Sequence, residues 1–135
     1  MRRSRLGFRT KLAAVGVAVC ALALALTALP ASGHKVTYDS HLQLKIDTLS
    51  DTTDTFSGKV ISTRAACEFG RIIYVTHAGV TIATATTDAA GNWTVTGPRP
   101  PKNDDVTAFT PKKILKKSRR HRHRCARAVS THKAP

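Results

Sequence analysis

Large aromatic side chains are scarce in this chain of 135 residues, which has four Phe, two Tyr and one Trp. A packed interior therefore has few rings to organise around, and Phe56, Tyr74 and Trp93 are the expected core anchors. No aromatic lies between Pro111 and Pro135, so that stretch offers no platform on which nucleic-acid bases stack, and specific nucleic-acid recognition is not expected. A Gly-x-Ser-x-Gly elbow and a phosphate-binding glycine loop are both missing. Paired carboxylates reduce to Asp104-Asp105, which as neighbours in a strand point to opposite faces. Catalysis thus lacks its usual constellations, and neither an enzyme nor a bound cofactor is expected. No internal repeat is visible, and no segment beyond residue 33 has a helical hydrophobic period.

Cysteines number three, and the odd count turns on the first segment. Arg2, Arg3, Arg5, Arg9 and Lys11 stand without an acid ahead of an apolar run from Leu12 to Leu29, followed by Pro30 and Ala31-Ser32-Gly33. A basic start, an apolar middle and small residues at the end are the three parts of a secretory signal peptide, placed at 1–33 with cleavage after Gly33. The other reading is a single membrane-spanning helix, since about 18 apolar residues reach the short edge of the spanning range of roughly 17–25. On that reading an uncleaved leader is the only membrane contact. Val19 before Cys20 does not suit a lipoprotein signal, and Arg2-Arg3 lacks the surroundings of a twin-arginine signal. Removal of Cys20 with the leader leaves Cys67 and Cys125. In an oxidising compartment these two are expected to pair as one disulfide. The protein is expected to be secreted or held in the cell envelope.

Charge is divided unevenly. From His34 to Pro111 there are seven Lys or Arg and eight Asp or Glu, whereas Lys112 to Pro135 holds ten Lys or Arg and no acid. Such density draws polyanions through counterion release and a local positive field. Lys112, Lys113, Lys116, Lys117, Arg119, Arg120, Arg122, Arg124 and Arg127 are the candidate polyanion-binding residues. The segment 112–124 reads as a basic loop between the last two strands, and a merely solvated loop is the plainer alternative.

The rest reads as strands. Leu42 to Asp47 alternates apolar and polar residues, and Val36 and Tyr38 begin an earlier strand. Leu49 to Thr55, rich in Asp and Thr, reads as a loop. In Phe56-Ser57-Gly58-Lys59-Val60 the residues Phe56, Gly58 and Val60 share a face, and Gly58 marks a bulge or a close backbone approach. Arg71 leads a β-branched strand to Thr76, and His77-Ala78-Gly79 turns it into a hairpin with Val80 to Thr87. In Thr87-Asp88-Ala89-Ala90-Gly91-Asn92-Trp93, Asp88 is placed to accept backbone N–H bonds and Gly91 to take a positive φ. Gly97 to Asn103 reads as a polar loop, Val106 and Ala108 begin another strand, and Cys125 to Ser130 is the expected last strand. Short strands at regular turn spacing predict an all-β fold, a small antiparallel β-sandwich.

Phe56 to Val60, Cys67, Arg71, the Thr87–Trp93 turn and a late Cys125 followed by Ser130 together resemble small exported bacterial carboxypeptidase regulatory-like domains. The resemblance covers roughly residues 56–130, leaving 34–55 as N-terminal strands and linker ahead of a domain at 56–135. It implies a transthyretin-like or immunoglobulin-like sandwich outside the cell, with Gly58, Val60, Arg71, Asp88, Gly91 and Trp93 as its turn and core signature, and no catalysis. Some related modules carry a Lys–Asn isopeptide bond. Lys59 sits in a suitable strand, but no Asn follows Asn103, so none is expected.

His121, His123 and Cys125 alternate on one strand face, a pattern that in principle suits zinc or copper. Arg120, Arg122 and Arg124 oppose a cation there, Cys125 is committed to the disulfide, and no metal site is expected. The expected function is a non-catalytic structural or adhesive module. The alternative is a module that binds anionic envelope polymer, anionic lipid or extracellular nucleic acid through Lys112–Arg127. An envelope protein is the other expected class of partner.

Overall fold

The computed structural model describes residues 33–118 and 120–135. The signal peptide expected at 1–33 therefore lies, but for Gly33, outside the described residues. Eleven strands follow in order: β1 His34–Tyr38, β2 Ser40–Leu42, β3 Lys45–Thr48, β4 Thr53–Ser62, β5 Ile72–His77, β6 Val80–Thr86, β7 Asn92–Pro98, β8 Asp105–Thr110, β9 Lys113–Lys117, β10 His121–Cys125 and β11 Ala128–Lys133. A short 3-10 turn, Ala65–Cys67, sits between β4 and β5. Among the described residues no helix is long and apolar enough to cross a membrane.

Two sheets form the sandwich. One is wholly antiparallel in the order β11–β8–β5–β6. The other is built on the long β4, with β7 along one edge and β2 and β3 in succession along the other. Alternation sorts their side chains. Phe56 and Val60 on β4 and Trp93 on β7 meet Ile73 and Val75 on β5 and Val106 and Ala108 on β8 in one buried cluster. Phe56, Val60, Ile73, Val75 and Val106 have no exposed surface, and each such burial stabilises the fold by about 1.5–3 kcal/mol.

Local chemistry explains the connections. At the β5–β6 turn Ala78 and Gly79 both have positive φ, 49° and 78°, as a two-residue hairpin that matches strand twist requires. At the next turn Asp88 Oδ1 accepts from the N–H groups of Ala90 and Asn92, both at 2.9 Å. Gly91 there has φ 81° and lies against the Val60 carbonyl, which a Cβ would overlap. These bonds to N–H groups hold the Asp88 carboxyl below its usual range, the bond from Asn92 contributing most. Gly58 marks a close approach. A Cβ on it would overlap the Gln43 carbonyl and stand 3.1 Å from the Trp93 ring.

Several expectations are corrected. The strand predicted over Leu42 to Asp47 is two, interrupted at Gln43 and Leu44, where Gln43 lies against Gly58 and its N–H donates to the Lys59 carbonyl. The loop predicted over Leu49 to Thr55 is shorter, since β4 already begins at Thr53 and buries Asp54 completely. Asp54 Oδ1 lies 3.2 Å from Arg99 Nε, a partner far along the chain. Residues 34–55 are integral to the fold, supplying β1, β2 and β3. Tyr74 is not a core anchor. It stands half-buried on the outer face of its strand, stacked on Phe109 at 5.1 Å, while its neighbours Ile73 and Val75 point inward. Cys125 closes β10 and does not open the last strand. The segment 112–124 is not a loop but the hairpin β9–β10, and β1 joins it in parallel through β10 to make a third sheet.

Candidate functional site

The basic hairpin has almost no core of its own, so its position depends on what holds its base. Arg71 is 1 % exposed and among the described residues no carboxylate pairs with it. All five of its side-chain N–H donors instead meet neutral oxygens. Nε donates to Thr110 Oγ1 at 3.2 Å, one terminal nitrogen to Ser40 Oγ at 3.3 Å and the Cys67 carbonyl at 2.9 Å. The other donates to the carbonyls of Pro111 and Ala126, both at 2.8 Å. Those last two residues flank the hairpin, one before β9 and one after β10. Burial without a counter-charge pulls the Arg71 guanidinium below the usual arginine value.

Two further ties reach the same base. Cys67 and Cys125 form the disulfide, with Cα atoms 5.4 Å apart, joining the 3-10 turn to the end of β10. Lys113 Nζ donates to the carbonyl of Phe69 at 2.6 Å and of Ala66 at 3.3 Å. The segment from Ala66 to Arg71 thus grips the hairpin at its start and its end.

Register then decides which cations meet. Lys35 on β1 lies opposite Arg122 on β10, and Arg122 lies opposite Lys117 on β9. Neighbours across a sheet share a face, so three cations stand in one row, strands about 4.8 Å apart. Arg124 follows on the same face, its Nε donating to Thr37 Oγ1 at 2.8 Å. The three strands hold six Lys or Arg and no acid. Like charges directly opposite in a sheet are destabilising, and a bound anion would relieve that repulsion.

The other face carries histidine. His34 lies opposite His121, and the ring centroids of His34, His121 and His123 are 5.9–6.5 Å apart. Tyr38 Oη lies 3.1 Å from His123 Nδ1, and Arg64 stacks over the Tyr38 ring. Partial burial pulls His123 below the usual histidine value, and His34, His121, Lys116 and Arg64 add to the effect.

The structure therefore sorts the predicted cations. Lys117, Arg122 and Arg124 share a face, and Lys116 lies on the histidine face. Lys112 and Arg120 are exposed beside the hairpin. Lys113 is committed to backbone carbonyls. Arg127 is elsewhere, over the Phe109 ring at 5.3 Å on the outer face of the sandwich. Arg119 lies outside the described residues. Lys35 was missed by sequence reasoning, because only the parallel pairing of β1 with β10 brings it to the row. His34 was missed for the same reason.

Other candidates are differently placed. His77 Nε2 is bonded to Asp104 Oδ2 at 2.8 Å and Lys133 to Asp105 at 2.7 Å. Among the described residues no group of three His, Cys, Asp or Glu is arranged to hold a metal ion. An open groove of ≈ 780 Å³ lies beside Gly58 and Trp93, with Lys45, Lys59 and His132 among its lining. No family model, curated protein or solved structure matches this chain.

Proposed function

We propose that this chain is a non-catalytic module, secreted or held at the cell surface, whose third sheet binds an anionic polymer of the cell envelope. The observation that carries the reading is the cross-strand row Lys35–Arg122–Lys117 on a sheet with no acid. A loop of the same composition would have to be ordered on binding. A hairpin tied at both ends presents its charges already fixed, which lowers the entropic cost of association. The sheet's one aromatic outside histidine, Tyr38, is half-buried and covered by Arg64, which favours a charged polymer over stacked bases. The sandwich is the support. The sequence motifs that resemble carboxypeptidase regulatory-like modules, which accompany other proteins at the surface, support a binding role.

Heparin is a suitable probe, because its sulfates keep their charge across the usable pH range. The variant Lys35→Gln/Lys117→Gln/Arg122→Gln should elute from immobilised heparin at lower salt. Its plot of log affinity against log salt should flatten by about one for each sulfate the sheet no longer neutralises. Elution and slope equal to those of the unaltered protein would remove this row from the function.

A further inference from the structure

Three of the chain's six histidines meet on the second face of the basic sheet, and the cation row opposite leaves them without a task. We infer that His34, His121 and His123 are conditional binding residues for the same polyanion, adding charge to the sheet as the medium acidifies so that binding tightens at low pH. This rests on the polyanion reading of the sheet.

The surroundings set the sign. From β1 the cluster is faced by His34 and the Tyr38 hydroxyl, from β10 by His121 and His123, and from β9 by Lys116. Arg64 approaches from the segment between β4 and the 3-10 turn. None of these groups is a carboxylate. A proton on His123 would be partly desolvated and would face two other imidazoles about 6 Å away and two fixed cations, so the free protein resists protonation there. The depressed value of His123 reflects its partial burial first and the neighbouring positive groups second. Its folded value lies below its unfolded one, so protonation without ligand costs stability as pH falls below about 6.5. A polyanion reverses the balance. Negative charge within a Debye length of about 8 Å favours the protonated form.

Linkage makes the effect reciprocal. If binding raises imidazole pKa values, binding takes up protons and affinity rises as pH falls through the range in which histidine titrates. A rise of one unit at one imidazole is worth tenfold in affinity once the pH is below both values. The geometry allows shared contact. His34 adjoins Lys35 and His121 adjoins Arg122, so both faces meet at one end of the hairpin, where both histidines are exposed. A polymer that crosses this end touches imidazoles and the cation row together.

The test is heparin affinity by calorimetry at pH 8.0 and pH 5.5, with proton uptake measured at pH 6.5 in two buffers of different ionisation enthalpy. The unaltered protein should bind at least tenfold tighter at pH 5.5 and take up protons. His34→Asn/His121→Asn/His123→Asn should match it at pH 8.0 and lose most of both effects. Lys35→Gln/Lys117→Gln/Arg122→Gln should bind more weakly at both pH values and keep the ratio. Should the triple histidine variant fail to fold, His121→Asn alone, at an exposed position, should lower proton uptake. Binding at pH 8.0 with no pH dependence, or pH dependence undiminished by the histidine changes, overturns this inference and leaves the polyanion reading standing. No heparin binding at either pH overturns both.

Discussion

Replacing Arg71 by methionine tests whether the guanidinium is what seats the basic hairpin. Methionine fills similar space and leaves five oxygens without their donor. Thr110 Oγ1 and the Cys67 carbonyl are buried, whereas Ser40, Pro111 and Ala126 lie where water can reach. A buried acceptor left unpaired costs about 1–3 kcal/mol, and a bond to a charged donor contributes about 1.5–3 kcal/mol net. Relief of the buried charge offsets part of that loss. The balance is a destabilisation of roughly 2–6 kcal/mol. At about 4–8 °C per kcal/mol for a domain of this size, thermal unfolding should begin about 8 °C lower or more. The loss should also be local. Amide protection in β9 and β10 should fall further than in β4 or β5, since the carbonyls of Pro111 and Ala126 flank the hairpin. Arg71→Lys keeps the charge but supplies three donors, so it should fall between the two. Arg127→Met, which removes an exposed cation stacked on Phe109, should cost about 1 kcal/mol or less. An unfolding temperature within 3 °C of the unaltered protein for Arg71→Met, with hairpin exchange unchanged, would refute the assignment.

Two other changes probe the frame. Gly58→Ala places a methyl on the Gln43 carbonyl and should destabilise by about 1–3 kcal/mol, read as a lower denaturant midpoint; a neutral outcome would mean the β2–β3 link moves freely away from β4. Cys67→Ala/Cys125→Ala opens a crosslink with a sequence separation of 58 and should cost about 4 kcal/mol by the chain-entropy argument. Equal denaturant midpoints for the two proteins would show that Arg71 and Lys113 alone suffice to hold the hairpin.

The sandwich was legible where one side of a strand is apolar. Phe56 and Val60, the turn at Asp88 and the cysteine pairing follow from alternation, from turn chemistry and from the compartment expected of the leader. Legibility failed where both faces of a strand look alike. In Ile72-Ile73-Tyr74-Val75 every residue is apolar or aromatic, so period alone does not say that Tyr74 faces out. Asp54 was hidden by its neighbours, since an Asp- and Thr-rich stretch reads as a loop until Arg99 arrives from elsewhere in the fold. Arg71 was found as part of a motif, but its work was not. Its acceptors are mostly backbone carbonyls, which leave no mark on sequence, and they come from positions spread between 40 and 126. The hairpin was invisible for a related reason. His and Arg alternate in β10 without any apolar member before Cys125, so period two carries no hydrophobic signal there.

That invisibility has a physical meaning. A sheet of six cations and no acid has little apolar surface to bury and suffers repulsion between Lys35, Arg122 and Lys117, so it does not form for its own stability. It forms because the sandwich lends stability through Arg71, the disulfide and Lys113, all converging on the segment from Ala66 to Arg71. The division of charge along the chain follows the same line. The residues from His34 to Pro111, which build the support, are close to neutral, and the excess begins where the hairpin begins. β1 is the exception that completes the design. It comes from the neutral part of the chain, yet it carries Lys35 into the row and His34 into the histidine face. On the proposed reading, an anionic ligand would account for a sheet assembled this way, against its own electrostatics, where solubility alone would not. Charge needed only for solubility would be as effective on an untethered loop, where the repulsion relaxes by separation.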